Sequence, residues 1–144
     1  MSADQDREEH QPHQMAEEQR HRPDRADQLT YVATAIQKVA THFKDRLGII
    51  GFCGAPYTLA SYMIEGGGSR NYIETKRLMY NDGAAWRMLL DKIVIVLEQY
   101  CRQQVQGGAD VIQIFDSWVG SLSRADYRDY ALDASQRLVH AVQA

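Results

Sequence analysis

Cysteine, proline, long apolar runs and basic charge are all scarce in this chain, and each scarcity excludes something. Only two cysteines and three prolines occur in 144 residues. Cys53 and Cys101 lie far apart, with no metal-type spacing and no histidine motif beside them, which excludes a disulfide framework or a zinc finger. Both sit in apolar surroundings and read as reduced, buried thiols of a cytoplasmic protein. No apolar run approaches the ~18 residues that a membrane span requires, so no membrane partner is expected. Lys and Arg number 16 against 19 Asp and Glu, a net charge of −3. That balance offers no basic field to hold nucleic acid. Eight acidic side chains within the first 28 residues speak against a signal or organellar address.

Apolar residues are also missing from positions 1–28, where only Met1, Ala3, Met15, Ala16 and Ala26 interrupt Asp, Glu, Gln, His and Arg. Such a segment buries too little to offset its ordering entropy, and it reads as a disordered polar extension. His10, His13 and His21 within it have no carboxylate or cysteine at ligand spacing and read as solvated.

Order is expected from Leu29. Leu29, Val32, Ile36, Val39 and Phe43 recur at helical spacing. Leu47–Cys53 is short, apolar and β-branched, the pattern of a parallel strand covered on both faces. A helix over Tyr57–Ile64 should break at Gly66–Gly68, and Ser69 could cap another over Arg70–Tyr80. The longest helix should span Ala84–Gln106, with Trp86, Leu89, Leu90, Ile93, Val96, Leu97, Tyr100, Cys101 and Val105 on one side, stopped by Gly107-Gly108. Val111–Phe115 reads as a second buried strand. Ser123-x-x-Asp126 opens a last helix with Tyr127, Ala131, Ala134, Leu138 and Val142 along its apolar face. Strands alternating with long helices indicate parallel α/β units.

Ligands of parallel α/β folds bind past the carboxyl ends of the strands. Gly54–Tyr62 follows the first strand and Asp116–Gly120 the second, so topology puts both segments on one rim. Asp116-Ser117 places polar groups at a strand end, where they read as functional, although Asp116 could instead cap the turn. Tyr62 could bond a ligand or pack between helices, the commoner fate of such a residue. Gly66-Gly67-Gly68-Ser69 has the form of an anion cradle but lacks the Lys-Ser/Thr of a phosphate loop, and a flexible break fits it as well. Glu65 reads as solvated or turn-fixing, and Trp86 and Trp118 as core. Arg70 is the only arginine near these segments.

Gly54-Ala55-Pro56-x-Thr58, Tyr62-Met63-x-Glu65-Gly66-Gly67-Gly68-Ser69 and Phe115-Asp116-Ser117 together resemble the uroporphyrinogen decarboxylase family nearly residue by residue. The resemblance runs from about Leu29 to Val142. It implies a (β/α)8 barrel, but a closed barrel usually needs about 250 residues. The expected fold is therefore a partial barrel of two to three β/α units, a central piece of such an enzyme. The resemblance further implies removal of four acetate carboxyls from uroporphyrinogen to give coproporphyrinogen, in porphyrin and haem synthesis, without metal or organic cofactor. It implies a homodimer for the whole enzyme and the porphyrinogen as partner. Tyr62 and Ser117 match substrate-contacting positions, and Gly54, Ala55, Pro56, Gly66, Gly67, Gly68 and Asp116 could line the site.

The family's Arg-Gln-Ala-Gly-Arg-Tyr motif, the early strand carrying its key aspartate and its late histidine have no counterpart here, so no catalytic residue is assigned. Two other readings stand beside this one. One is a non-catalytic remnant or a module that complements barrel strands; the other is a related barrel methyltransferase, which would need a zinc site that His42, His140, Cys53 and Cys101 do not form by spacing. Uncovered strand edges and helix faces predict self-association or aggregation.

Overall fold

The computed structural model of the chain describes residues 29–44 and 46–143. The polar segment 1–28 lies outside the described residues, and with it the histidines at 10, 13 and 21.

Helix α1 (Thr30–Phe43) leads to strand β1 (Ile50–Gly54), and helices α2 (Pro56–Glu65), α3 (Ile73–Asn81) and α4 (Gly83–Gln106) come next. Strand β2 (Val111–Phe115), a 3-10 turn (Val119–Ser121) and helices α5 (Arg124–Tyr130) and α6 (Leu132–Gln143) complete the order. β1 and β2 pair in parallel, with Ile50 opposite Val111 and Gly54 opposite Phe115. The expected alternation of strand and helix is thus present, as a mixed α/β arrangement around two short strands.

Local chemistry sets the boundaries. Pro56 starts α2, where its missing N–H costs no helical bond. Gly66 ends α2 in the left-handed conformation at φ 71°, its N–H donating to the Tyr62 carbonyl. Asp82 caps α4 by accepting from the Ala85 N–H. Gly108 makes the left-handed turn after α4, at φ 105°, whereas Gly107 stays helical. Gly107 has a different reason to be glycine: a Cβ there would stand 2.7 Å from the Ala33 carbonyl oxygen of α1. Ser123 accepts from the Asp126 N–H at the start of α5, as the capping pattern anticipated. The final helix is not continuous, because it breaks at Ala131 (φ −126°). The carbonyl of Tyr130 freed near that break accepts from the Trp86 indole at 2.9 Å, so the break is satisfied from the core.

The core lies where α4 crosses the other elements. Trp86, Leu90, Ile93, Val94, Leu97 and Cys101 form one cluster with Cys53, Tyr57, Met79, Ala134 and Leu138. The Cys53 and Cys101 sulfurs are 3.5 Å apart, both buried and free. The neighbouring thiol, together with burial, holds Cys53 far above the usual thiol range.

Three further expectations need correction. First, β1 starts at Ile50, three residues later than read, and Leu47 is exposed. Second, neither strand is covered on both faces. Gly51 and Cys53 point to the helices, but Ile50 and Phe52 are 67% and 60% exposed. Val111 and Phe115 are exposed on β2. Continuous apolarity reported a face that nothing among the described residues covers. Third, Val105 is exposed while Gln104, one residue earlier, is 1% exposed.

Gln104 is buried because it serves β1. The N–H of Ala55 donates to Phe115 O, and that of Val111 to Ile49 O. Alternate residues of a parallel ladder turn their backbone groups to the same neighbour. Gly51 and Cys53 therefore face β2, and Phe52 turns its groups to the other edge. There its N–H donates to Gln104 Oε1 at 2.9 Å, and Gln104 Nε2 donates to its carbonyl at 3.0 Å. A side-chain amide thus occupies the place of a neighbouring strand. Gly51 permits the approach, since a Cβ there would come within 2.7 Å of Gln104 Oε1.

Candidate functional site

Parallel pairing brings the carboxyl ends of β1 and β2 side by side. The N–H of Ala55 donates to the Phe115 carbonyl at 2.7 Å, tying the two departing segments together. Ala55 and Pro56 are buried beneath the rim, and Gly54 is half-buried against Leu59. Asp116 and Ser117 leave β2 beside them. The topology expected from the order of elements thus holds: Gly54–Tyr62 and Asp116–Gly120 share one rim.

Asp116 is half-buried, and its Oδ1 accepts from the Thr58 hydroxyl at 2.8 Å. Burial pushes its carboxyl above the usual range, and the Thr58 hydrogen bond opposes that rise. The same Thr58 oxygen accepts from the Trp118 N–H at 3.3 Å. Tyr57, wholly buried, shares a 3.0 Å hydrogen bond with the Ser121 hydroxyl. Ser117 is exposed between these anchored neighbours.

Tyr62 packs against the turn that follows β2. Its ring lies 3.7 Å from that of Trp118, centre to centre, with the planes tilted by 37°. It also remains 46% exposed. Tyr72 stands against Trp118 at 5.1 Å. Desolvation raises the Tyr72 phenol above its ordinary value, and Tyr57, Tyr62 and Glu65 add to that rise. Trp86 is core, as expected. Trp118 is only half-buried: it packs against the core and against both Tyr62 and Tyr72 at the rim.

The glycine run does not open the next helix, as an anion cradle at a helix start would. The next helix begins at Ile73 rather than Arg70, and Glu65 already takes its amino end. Glu65 Oε1 accepts from both the N–H and the hydroxyl of Thr75, at 2.9 Å each. The Thr75 N–H is the first cause holding the Glu65 carboxyl below its usual range. Glu65 is therefore turn-fixing, the second of its two readings. Ser69 caps no helix and instead accepts from the Tyr72 N–H. Tyr72 sits in the left-handed region at φ 52°, a backbone strain uncommon outside glycine. Gly66, Gly67 and Gly68 face open space, and Arg70 is exposed.

Thr58, Tyr72 and the rim position of Trp118 were not assigned from sequence. Thr58 carried a usable signal, because it precedes Tyr62 by four residues and so shares its helical face. A groove of about 710 Å³ past the 3-10 turn, lined by Val119, Leu122, Arg124, Tyr127, Arg128 and Leu132, was not foreseen either. Two arginines line it, of which Arg128 pairs with Asp129 at 3.1 Å.

A strand–helix–strand unit with polar and aromatic groups gathered past its carboxyl ends defines an α/β protein of the kind that binds ligands at that rim. A model of the family described as uroporphyrinogen decarboxylase (URO-D) matches residues 7–144, reaching back into the segment read as an extension. The chain is 63% identical over 122 residues to a uroporphyrinogen decarboxylase of Koribacter versatilis (strain Ellin345), covering 85% of this chain and 35% of that protein. It is 48% identical over 118 residues to the namesake of Solibacter usitatus (strain Ellin6076), covering 82% and 34%. It is also 48% identical over 121 residues to that of Chloroflexus aurantiacus (strain ATCC 29366 / DSM 635 / J-10-fl), covering 84% and 34%. The chain belongs to the uroporphyrinogen decarboxylase family, and it spans about a third of the length of the curated relatives it matches.

Proposed function

We propose that this chain supplies one sector of a porphyrinogen-binding barrel mouth, acting in the decarboxylation of uroporphyrinogen to coproporphyrinogen. The observation that carries the reading is the meeting of Tyr62 with the Asp116–Trp118 turn past the ends of two parallel strands, in a chain of this family. In this reading β1 and β2 are neighbouring staves of a (β/α)8 barrel, and the exposed side chains of Ile50, Phe52, Val111 and Phe115 face its interior. The reaction is placed in the cytoplasm.

Each proposed role comes from chemistry at the rim. Decarboxylating a pyrrole acetate requires a protonated ring to accept the electron pair released. A carboxylate at the mouth then holds the pyrrole N–H groups and stabilises the cation. The Tyr62 hydroxyl orients substrate or carboxylate, and the exposed Ser117 hydroxyl donates to a peripheral carboxylate. Arg124 and Arg128, in the adjoining groove, are suited to further carboxylates. No residue matches the family's key aspartate, so the chain alone is expected to bind without turning over. The proposed chemistry draws on no cofactor.

Two measurements test this. Uroporphyrin, the stable oxidised analogue, should quench tryptophan fluorescence, and Tyr62→Phe and Ser117→Ala should each weaken binding by about tenfold, the loss of one hydrogen bond. Affinity unmoved by either substitution would refute the assignment of the rim. Anaerobic incubation with uroporphyrinogen should yield no coproporphyrinogen; product above background would overturn the incomplete-chemistry reading.

The exposed sheet face favours a second reading, that of a module completed by other barrel strands or by self-association. Light scattering should detect oligomers, and Phe52→Lys with Phe115→Lys should reduce them. A native monomer before substitution would exclude this reading.

A further inference from the structure

Thr58 and Tyr62 stand one turn apart on α2, and both grip the segment that leaves β2. Tyr62 covers the Trp118 ring, with centroids 3.7 Å apart. Thr58 holds the backbone beneath, donating to Asp116 Oδ1 at 2.8 Å and accepting from the Trp118 N–H at 3.3 Å. We propose that Thr58 is a positioning residue of the rim, whose hydroxyl locks the Asp116–Trp118 turn against α2 and thereby sets where Tyr62 and Ser117 stand. The functional half of this inference rests on reading those two residues as substrate contacts; the lock itself does not.

The hydroxyl is suited to this because it both donates and accepts, and this geometry uses both capacities on residues two apart in sequence. At 3% exposure, Thr58 leaves little room for water to stand in for it. Ser117 lies between the two locked residues, so its exposed side chain is fixed at both flanks without being held itself. Trp118 takes its backbone position from Thr58 and then serves as the surface on which Tyr62 lies. One hydroxyl thus connects β2's end, the indole plate and the tyrosine. The Ala55–Phe115 hydrogen bond just below anchors the strands but cannot orient the residues beyond Phe115.

Valine matches threonine in shape while lacking both hydrogen-bonding capacities, and serine retains them. In the full 144-residue chain, Thr58→Val should speed exchange of the Trp118 backbone amide about tenfold, the loss of one modest hydrogen bond. It should also shift the Trp118 indole and Tyr62 ring resonances, while the Trp86 indole signal stays in place. Thr58→Ser should restore the wild-type pattern, which a purely volumetric role would not predict. Asp116→Ala, which removes the acceptor but leaves the hydroxyl, should shift the same resonances and carries the test if the valine variant does not fold. Unchanged Trp118 and Tyr62 signals in either variant would overturn the proposal.

Uroporphyrin binding separates this inference from the functional reading. Weaker binding in both Thr58→Val and Tyr62→Phe, restored by Thr58→Ser, is the expected result. Loss of affinity in Tyr62→Phe but not in Thr58→Val would overturn positioning and leave the functional reading intact. Unchanged affinity in Tyr62→Phe, with Trp118 and Tyr62 resonances still moved by Thr58→Val, would refute the functional reading and uphold the lock.

Discussion

Replacing Gln104 by leucine removes the side-chain amide that pairs both backbone groups of Phe52, at 2.9 and 3.0 Å, while nearly preserving volume. Two partly buried backbone groups lose their partners. Each hydrogen bond contributes about 0.5–1.5 kcal/mol, and a group left unpaired away from water costs about 1–3 kcal/mol. Together the loss is about 2–4 kcal/mol, a large fraction of the ~5–15 kcal/mol that holds a domain folded. With a urea slope of about 2 kcal/mol/M, the unfolding midpoint should fall by about 1–2 M. The Phe52 amide should exchange faster than those of Gly51 and Cys53, whose backbone groups face β2. Gln104→Leu should also associate more readily, because it frees hydrogen-bonding groups on the open edge of β1. A midpoint shift below about 0.3 M with unchanged Phe52 exchange would refute the edge-guard argument.

Three further outcomes are expected. The Glu65 carboxyl is held below its usual value by Thr75, so its stabilising contribution is present above the unfolded pKa of about 4.3 and lost as pH falls through the lower folded value. Melting curves from about pH 6 to about pH 3 should show a shallower acid limb in Glu65→Gln; an identical limb would contradict the cap. Asp116 has the opposite sign: burial raises its folded pKa, so ionisation costs stability as pH rises from about 3.9 through the folded value. Asp116→Asn, which keeps an acceptor for Thr58, should raise the melting temperature at neutral pH and not below about pH 3. Gly107→Ala places a methyl 2.7 Å from the Ala33 carbonyl and should cost about 1–3 kcal/mol by chemical denaturation, with α1 amides losing protection first; a neutral effect would mean α1 does not pack there.

The sequence by itself determined the elements and the place of the rim. Apolar periodicity located α1 and α4, although it foretold a buried face only for α4: no residue of α1 is fully buried, and Val39 of its stripe is exposed. Gly66, Gly108 and Ser123 marked boundaries because each supplies a backbone conformation or a hydrogen bond that a helix end requires. The order strand–helix–strand placed Gly54–Tyr62 beside Asp116–Gly120, since parallel strands deliver both carboxyl ends to one edge. Family likeness was legible for the same reason: the rim motifs are contiguous stretches of chain.

Only the tertiary structure decided what those residues touch. Gln104 reads as polar and therefore outward, yet it is buried, because the partner that satisfies it is a strand 52 residues away. Trp118 reads as core by size, yet it stays half-buried at the rim, packed against the edge of the core and against Tyr62 and Tyr72. Glu65 looks solvated beside three glycines until the chain doubles back and presents the amino end of α3 to it. Covered strands could not be told from strands with one open face, because apolar side chains record a surface that needs burial and not what buries it. Partners distant in sequence leave no periodicity in either segment, and they exist only once the chain has closed on itself.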